Sequence, residues 1–384
     1  MNRTALNSSL AGGKAAAIVA PMQLLPSLII TLTIAVLNPT ILHANSSNKD
    51  QTSTAVVEVC IRIGNKLGSV SIADCLDRNL KESGAQSVNG QAILIKEYPP
   101  LPQREPKARI LLLGGTHGDE YSSVSIIFKW LKTLDAHHSG LFHWHVAPLL
   151  NPDGLLQRPS QRLNAHGVDL NRNMPTPNWL ESTTAYWKNT GHDPRRYPGT
   201  APLSEPESRW LYDEIRTFKP HAIVSVHAPY GVLDFDGPPV GPDKLGHLHL
   251  QLIGTYPGSL GNSAGVQHQI PVITVELPYA GIMPGEGEIS RMWMDLVRWL
   301  RLNVPKEKTV RAYEHFDEIS SALMAGTVEP APESITQQDM AATPALEATV
   351  KTVENKLPPT ESSEADNSLE NTIDTIQEEQ GIDQ

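Results

Sequence analysis

The sequence predicts an α/β fold, a central sheet with helices over both faces, and three observations carry that prediction. Residues 109–113 (RILLL), 222–226 (AIVSV) and 272–275 (VITV) are short aliphatic runs bounded by Gly or Pro. Runs of that kind suit strands buried on both faces. Each run leads into chemistry: His117 and Glu120 lie just past the first, His227 follows the second, and Glu276 closes the third. Ligands of open α/β sheets gather at the carboxyl ends of the strands. Helical spacing supplies the covering layers. Leu211 and Ile215 follow Ser204-x2-Glu207, which reads as a capping box, and Met292, Leu296, Trp299 and Leu300 recur at helical intervals.

The elements follow in chain order. Arg3 and Lys14 precede residues 15–48, a stretch with no Asp, Glu, Lys or Arg that contains the apolar run 28–37. A basic start, an apolar segment and a small residue before a polar stretch describe an export signal over residues 1–44, cut after Ala44. An uncleaved membrane anchor is the alternative, and Pro21, Pro26 and Pro39 argue against it. Export places the protein in the periplasm or outside the cell. Residues 45–98 read as a small strand-rich appendage, in which Cys60 and Cys75 are disulfide candidates for an oxidising compartment. Residues 99–312 read as the main domain, a core of ample size for one α/β unit. Residues 313–384 read as an acidic, disordered tail. From Gly326 onward there are 13 acidic residues and 2 lysines, a net charge of −11 that equals the value for the whole chain. The remainder is formally neutral. With no Gly-rich phosphate loop and no basic aromatic patch, nucleotide and nucleic-acid roles are unsupported.

Two imidazoles and a carboxylate, His117, Glu120 and His227, are the ligand set of an open hydrolytic zinc site. A further carboxylate, Glu276, is what such a site requires to take a proton from water. Between them, Asn151-Pro152-Asp153-Gly154 is a turn signal. Residues 162–173 then crowd two Arg, three Asn and an Asp into twelve positions. A guanidinium there can clamp a carboxylate; a solvated polar loop with a surface Arg–Asp pair is the alternative. His143-Trp144-His145 and His247-Leu248-His249 have strand spacing that presents two imidazoles on one face. With no carboxylate cluster nearby in sequence, both read as ordinary polar positions.

These residues in this order resemble the zinc carboxypeptidase (carboxypeptidase A-like) family over roughly residues 108–300. Residues 115–120, 167–173, 204–207, 227–229 and 257–259 are similar to the bacterial murein peptide amidase branch of that family. The resemblance implies a mixed, mostly parallel sheet and one zinc ion on His117, Glu120 and His227. It implies that Asp169 orients a ligating imidazole, that Arg162 polarises the scissile carbonyl, and that Glu276 is the general base. Asn171 and Arg172 would hold the substrate's free carboxylate, with Tyr256 near the position of a capping tyrosine. The implied reaction cleaves the γ-D-glutamyl-meso-diaminopimelate bond of a cell-wall peptide and releases the last residue. Asp234 and Asp236 are candidates for the diaminopimelate ammonium; a solvated turn is the alternative. Two rival readings are an aspartoacylase-like zinc acyl-amino-acid hydrolase and a non-catalytic peptidoglycan-binding protein. Contact with a membrane is expected only through an uncleaved N-terminal segment, and the sequence specifies no oligomeric state.

Overall fold

A computed structural model describes residues 53–304 and 313–326. The expected export segment and the tail beyond residue 326 lie outside the described residues. Among the described residues, no helix is long and apolar enough to cross a membrane.

The chain opens with helices α1 (Thr54–Lys66) and α2 (Ile72–Leu76), then strands β1 (Lys81–Gln86), β2 (Ala92–Tyr98) and β3 (Ala108–Leu113). Helix α3 (Tyr121–His137), strand β4 (Phe142–Ala147) and helices α4 (Pro152–Leu156), α5 (Trp179–Asn189) and α6 (Pro206–Phe218) follow. Next come β5 (Ala222–His227), β6 (Leu233–Asp236), the short hairpin β7 (Lys244–Leu245) and β8 (Leu248–His249), and a π-helical segment, Gly261–Gln267. Strand β9 (Val272–Glu276) and helices α7 (Glu286–Asn303) and α8 (Phe316–Ala325) complete the order.

Seven strands form one sheet in the order β1-β2-β4-β3-β5-β9-β6. The four inner strands, β4, β3, β5 and β9, run parallel, and the outer β1, β2 and β6 pair antiparallel. The expected mixed sheet is therefore parallel where it is most deeply buried. Ile110, Leu111, Leu112 and Leu113 are all fully buried, as both-faces-covered strands require. One face packs against α1, α3 and α7, and the other against α6, the π segment and Phe316 of α8. The helical spacing of Met292, Leu296, Trp299 and Leu300 is borne out, since all four are buried on α7.

Three expectations need correction. Residues 54–98 are not an appendage: β1 and β2 extend the central sheet, and α1 packs into its main core. Cys60 and Cys75 are bridged, tying α1 to α2. Residues 313–326 do not belong to a disordered tail, because Phe316 and Leu323 anchor α8. The capping box at Ser204 does not form. Pro206 occupies the first helical position and makes Glu205 the N-cap, while the Glu207 carboxylate accepts hydrogen bonds from the Asn164 side chain and the Val88 N–H.

Candidate metal centre and its cavity

The loop after β3 is shaped by close backbone packing. Gly115 has φ +62°, a conformation that favours glycine. A Cβ on Gly118 would lie 2.1 Å from the carbonyl carbon of Gly154. The 114–120 loop and α4 thus interlock backbone against backbone. Asn151 completes the joint: its Oδ1 accepts from Gly154 N–H at 2.8 Å, and its Nδ2 donates to the carbonyls of Thr116 (3.3 Å) and Arg162 (3.1 Å). The turn signal read in the sequence is therefore a capped helical turn that holds His117 and Arg162 in place.

Strand pleating supplies the other side of the site. In β5, β9 and β6 the apolar residues Val224, Val226, Ile273, Val275, Leu233 and Phe235 enter the main core. The alternating partners Ser225 and His227, Thr274 and Glu276, and Asp234 and Asp236 face the opposite side, where all six line one cavity. Register aligns them, with His227 opposite Glu276 and Asp234 opposite Thr274.

At one wall of that cavity, His117 Nδ1 lies 2.7 Å from Glu120 Oε1 and 3.2 Å from His227 Nδ1, and His227 Nδ1 lies 3.1 Å from Glu120 Oε2. All three residues are buried. The far nitrogens are also engaged: His117 Nε2 stands 3.1 Å from Asp169 Oδ1, and His227 Nε2 stands 3.1 Å from Ser225 Oγ. With hydrogens on those Nε2 atoms, both Nδ1 atoms present lone pairs to each other and to a carboxylate. Three converging acceptors call for a cation, and two imidazoles with one carboxylate fit zinc. Burial favours a neutral Glu120, but the two imidazoles outweigh it and hold the carboxyl below its usual range. Burial and Arg162 press His117 down, yet Glu120 and Asp169 leave it raised; burial lowers His227.

Asp169 joins this centre to Arg162. Against the effect of burial, Arg162 and His117 hold its carboxyl well below the usual range. Its Oδ2 accepts from Arg162 Nε (3.3 Å) and Nη2 (3.1 Å), and Arg162 Nη1 also reaches Glu120 Oε1 at 3.4 Å. The loop behind is a buried polar network: Asn173, fully buried, donates to the carbonyls of Pro198 and Ala201 and to Ser204 Oγ. The solvated-loop alternative for residues 162–173 is therefore overturned.

Two charged groups on the cavity wall have unmatched atoms. Among the described residues, Glu276 Oε2 and Arg172 Nε are buried with no hydrogen-bond partner. Burial raises the Glu276 carboxyl well above its usual range, with the Glu120 charge adding to it. Arg172 has no ion-pair partner among the described residues. Its guanidinium lies 4.5 Å from the ring centroid of Tyr256 and 5.1 Å from that of Tyr186, and it donates to Tyr186 Oη at 3.3 Å. Asn171 and Tyr256 line the same cavity, and the Asn171 Oδ1 accepts from Leu260 N–H at 2.9 Å. The structure thus brings together every site residue expected from the sequence.

Asp234 and Asp236 are not in a solvated turn; they sit on β6 in the cavity. Burial pushes the Asp234 carboxyl up to about 6, and burial with the neighbouring Asp234 charge pushes Asp236 up to about 8. Sequence reasoning missed Tyr230, Arg196 and Ser259 as cavity-lining residues. Tyr230 lies three residues past His227, but a tyrosine there carries no pattern of its own.

The sequence profile of the zinc carboxypeptidases matches residues 77–234, which takes in β1 and β2. The murein peptide amidase A of Vibrio campbellii is 36% identical over 206 residues, covering 51% of this chain and 78% of that protein. The chain belongs to the zinc carboxypeptidase family. The murein peptide amidase A of Escherichia coli K12 is 41% identical over 127 residues, and the chain spans about half the length of that relative. The crystal structure of the murein-tripeptide amidase from Escherichia coli O157 shares 28% identity with this zinc carboxypeptidase homologue, covers 59% of this chain and 93% of its own, and gives a TM-score of 0.43.

Proposed function

We propose that this protein hydrolyses an amide bond of cell-wall peptides and releases the C-terminal residue, with γ-D-glutamyl-meso-diaminopimelate as the bond cut. The observation that carries the reading is a single cavity with a cation-seeking His117–Glu120–His227 cluster at its wall, a buried carboxylate with one free oxygen, Glu276, and a buried guanidinium with no ion-pair partner among the described residues, Arg172. Zinc held by those three residues would supply a Lewis acid and lower the pKa of water toward neutrality.

The chain's own residues do the rest. Arg172, packed against the rings of Tyr186 and Tyr256, receives the substrate's terminal carboxylate together with Asn171, and so selects the last amide for cleavage. Glu276 takes the proton from the attacking water on its free Oε2 and passes it to the amine nitrogen as the C–N bond breaks. Arg162, fixed by Asp169 and Glu120, donates to the carbonyl oxygen as that oxygen gains charge. Asp234 and Asp236 offer negative charge to the ammonium at the far end of diaminopimelate. Action after export is part of the proposal, supported by the Cys60–Cys75 bridge.

Incubation of the purified protein with L-Ala-γ-D-Glu-meso-diaminopimelate should yield free diaminopimelate. The same peptide amidated at the diaminopimelate α-carboxyl should resist cleavage. Hydrolysis of N-acetyl-aspartate with no release of diaminopimelate would assign the chain to acyl-amino-acid chemistry instead.

A further inference from the structure

The His143-Trp144-His145 motif acquires in three dimensions the carboxylates that it lacks in sequence. Glu97 of β2 is the register partner of His145 in β4, and the two histidines, two residues apart, share a face. His143 Nε2 lies 2.8 Å and His145 Nε2 3.8 Å from the same oxygen, Glu97 Oε1. One ligand atom from each of the three residues lies within 4.8 Å of the others. Outside the centre described above, this is the one such group among the described residues.

The arrangement is oriented from behind. Glu214 of α6 stands 2.5 Å from His145 Nδ1, which puts the hydrogen on that nitrogen and leaves Nε2 as a lone pair directed toward Glu97. Phe218 stacks on the His145 ring with a centroid separation of 3.6 Å and an interplanar angle of 8°, and meets the His143 ring edge-on at 5.0 Å. Both rings are thereby fixed. A carboxylate behind a ligating imidazole is the usual support of a protein metal ligand. The imidazoles are largely buried, while Glu97 is half exposed and leaves the site open to solvent. His143 pairs with Arg109 and His145 with Leu111, whereas His117 lies beyond the end of β3, so this cluster is separate from the cavity.

We infer that Glu97, His143 and His145 form a second metal site, which takes one divalent transition-metal ion with Glu214 as the orienting carboxylate. Two imidazole nitrogens and one carboxylate oxygen select zinc, nickel or copper over magnesium or calcium. An ion there would join β2 to β4 and, through Glu214, to α6. It would stabilise the native chain by mass action.

Copper(II) titrated into the zinc-loaded full chain, followed by electron paramagnetic resonance and calorimetry, tests the inference. One copper per chain should give a signal with coupling to two nitrogens. His143→Gln should abolish that step, and Glu97→Gln, at a half-exposed position where folding is safe, should weaken it at least tenfold. Glu214→Gln should weaken it about ten- to a hundredfold. Peptide turnover should be unchanged in Glu97→Gln. A wild-type isotherm that overlays those of both His143→Gln and Glu97→Gln would overturn the site, as would a signal without two-nitrogen coupling. Because the readout is binding, a failed peptide assay would leave this inference standing, and a failed titration would leave the proposed activity standing.

Discussion

At the scale of single residues, unmatched charged atoms mark the chemistry that the cavity can do. Glu276 contacts none of the three cluster residues through its free oxygen, so Glu276→Gln should retain zinc while turnover falls by about 10²–10⁴-fold. Metal analysis beside a kinetic assay separates the two, and retained turnover would remove Glu276 from its role. Asp236→Asn should raise KM for a diaminopimelate-ended peptide and leave an alanine-ended one unchanged; an equal effect on both would deny the ammonium site. The positions of the His117–Glu120–His227 cluster, Asp169 and Glu276 were legible in the sequence because each falls at a strand end or inside a recognisable motif. The placement of Asp234 and Asp236 was legible only in part. Asp-Phe-Asp alternates as Ser-Val-His and Thr-Val-Glu do, yet only register with β9 shows that all three pairs share a face.

At the scale of elements, the site depends on joints between loops. Gly118→Ala would push a methyl group into the backbone of α4, costing about 1–3 kcal/mol as overpacking does and displacing His117. Lower zinc affinity together with a lower Tm is the expected result, and unchanged zinc affinity would deny the joint. A second prediction concerns α8, whose Phe316 stacks on His268 at 4.0 Å. His268 is buried with neither ring nitrogen hydrogen-bonded, and burial pushes it down from 6.5 to about 4. Between those values the unfolded chain binds a proton that the native chain excludes. The stability contributed is present above pH 6.5 and is lost as pH falls through about 4. Thermal melts across that window should fall more steeply for wild type than for His268→Phe, and parallel curves would contradict the assignment. Strands 109–113, 222–226 and 272–275 were readable because burial on both faces demands unbroken aliphatic runs. Strand β1, with Lys81, Glu82 and Gln86, is an edge with little apolar pattern, and its place in the sheet is fixed by pairing with β2.

At the scale of the whole molecule, residues 54–98 brace the loops that carry the candidate site. Arg62 and Lys66 of α1 donate to the carbonyls of Leu156 and Gln157, at the end of α4, and Asp153 accepts from Ser87 Oγ and Asn89 N–H. Sequence patterns are local, so such contacts between segments far apart along the chain gave no signal and these residues read as an appendage. The Cys60–Cys75 bridge closes a separation of 15 residues, and replacing both cysteines with serine should cost about 3 kcal/mol in denaturant melts. A loss near zero would show that α1 and α2 hold together without it. The proposed function requires the fold to gather one zinc ion between side chains from distant segments. X-ray diffraction from zinc-loaded crystals at the zinc absorption edge tests this most directly. An anomalous peak within bonding distance of Nδ1 of His117, Nδ1 of His227 and the carboxylate of Glu120 is the expected result; zinc-replete crystals with no peak there would overturn the proposed function.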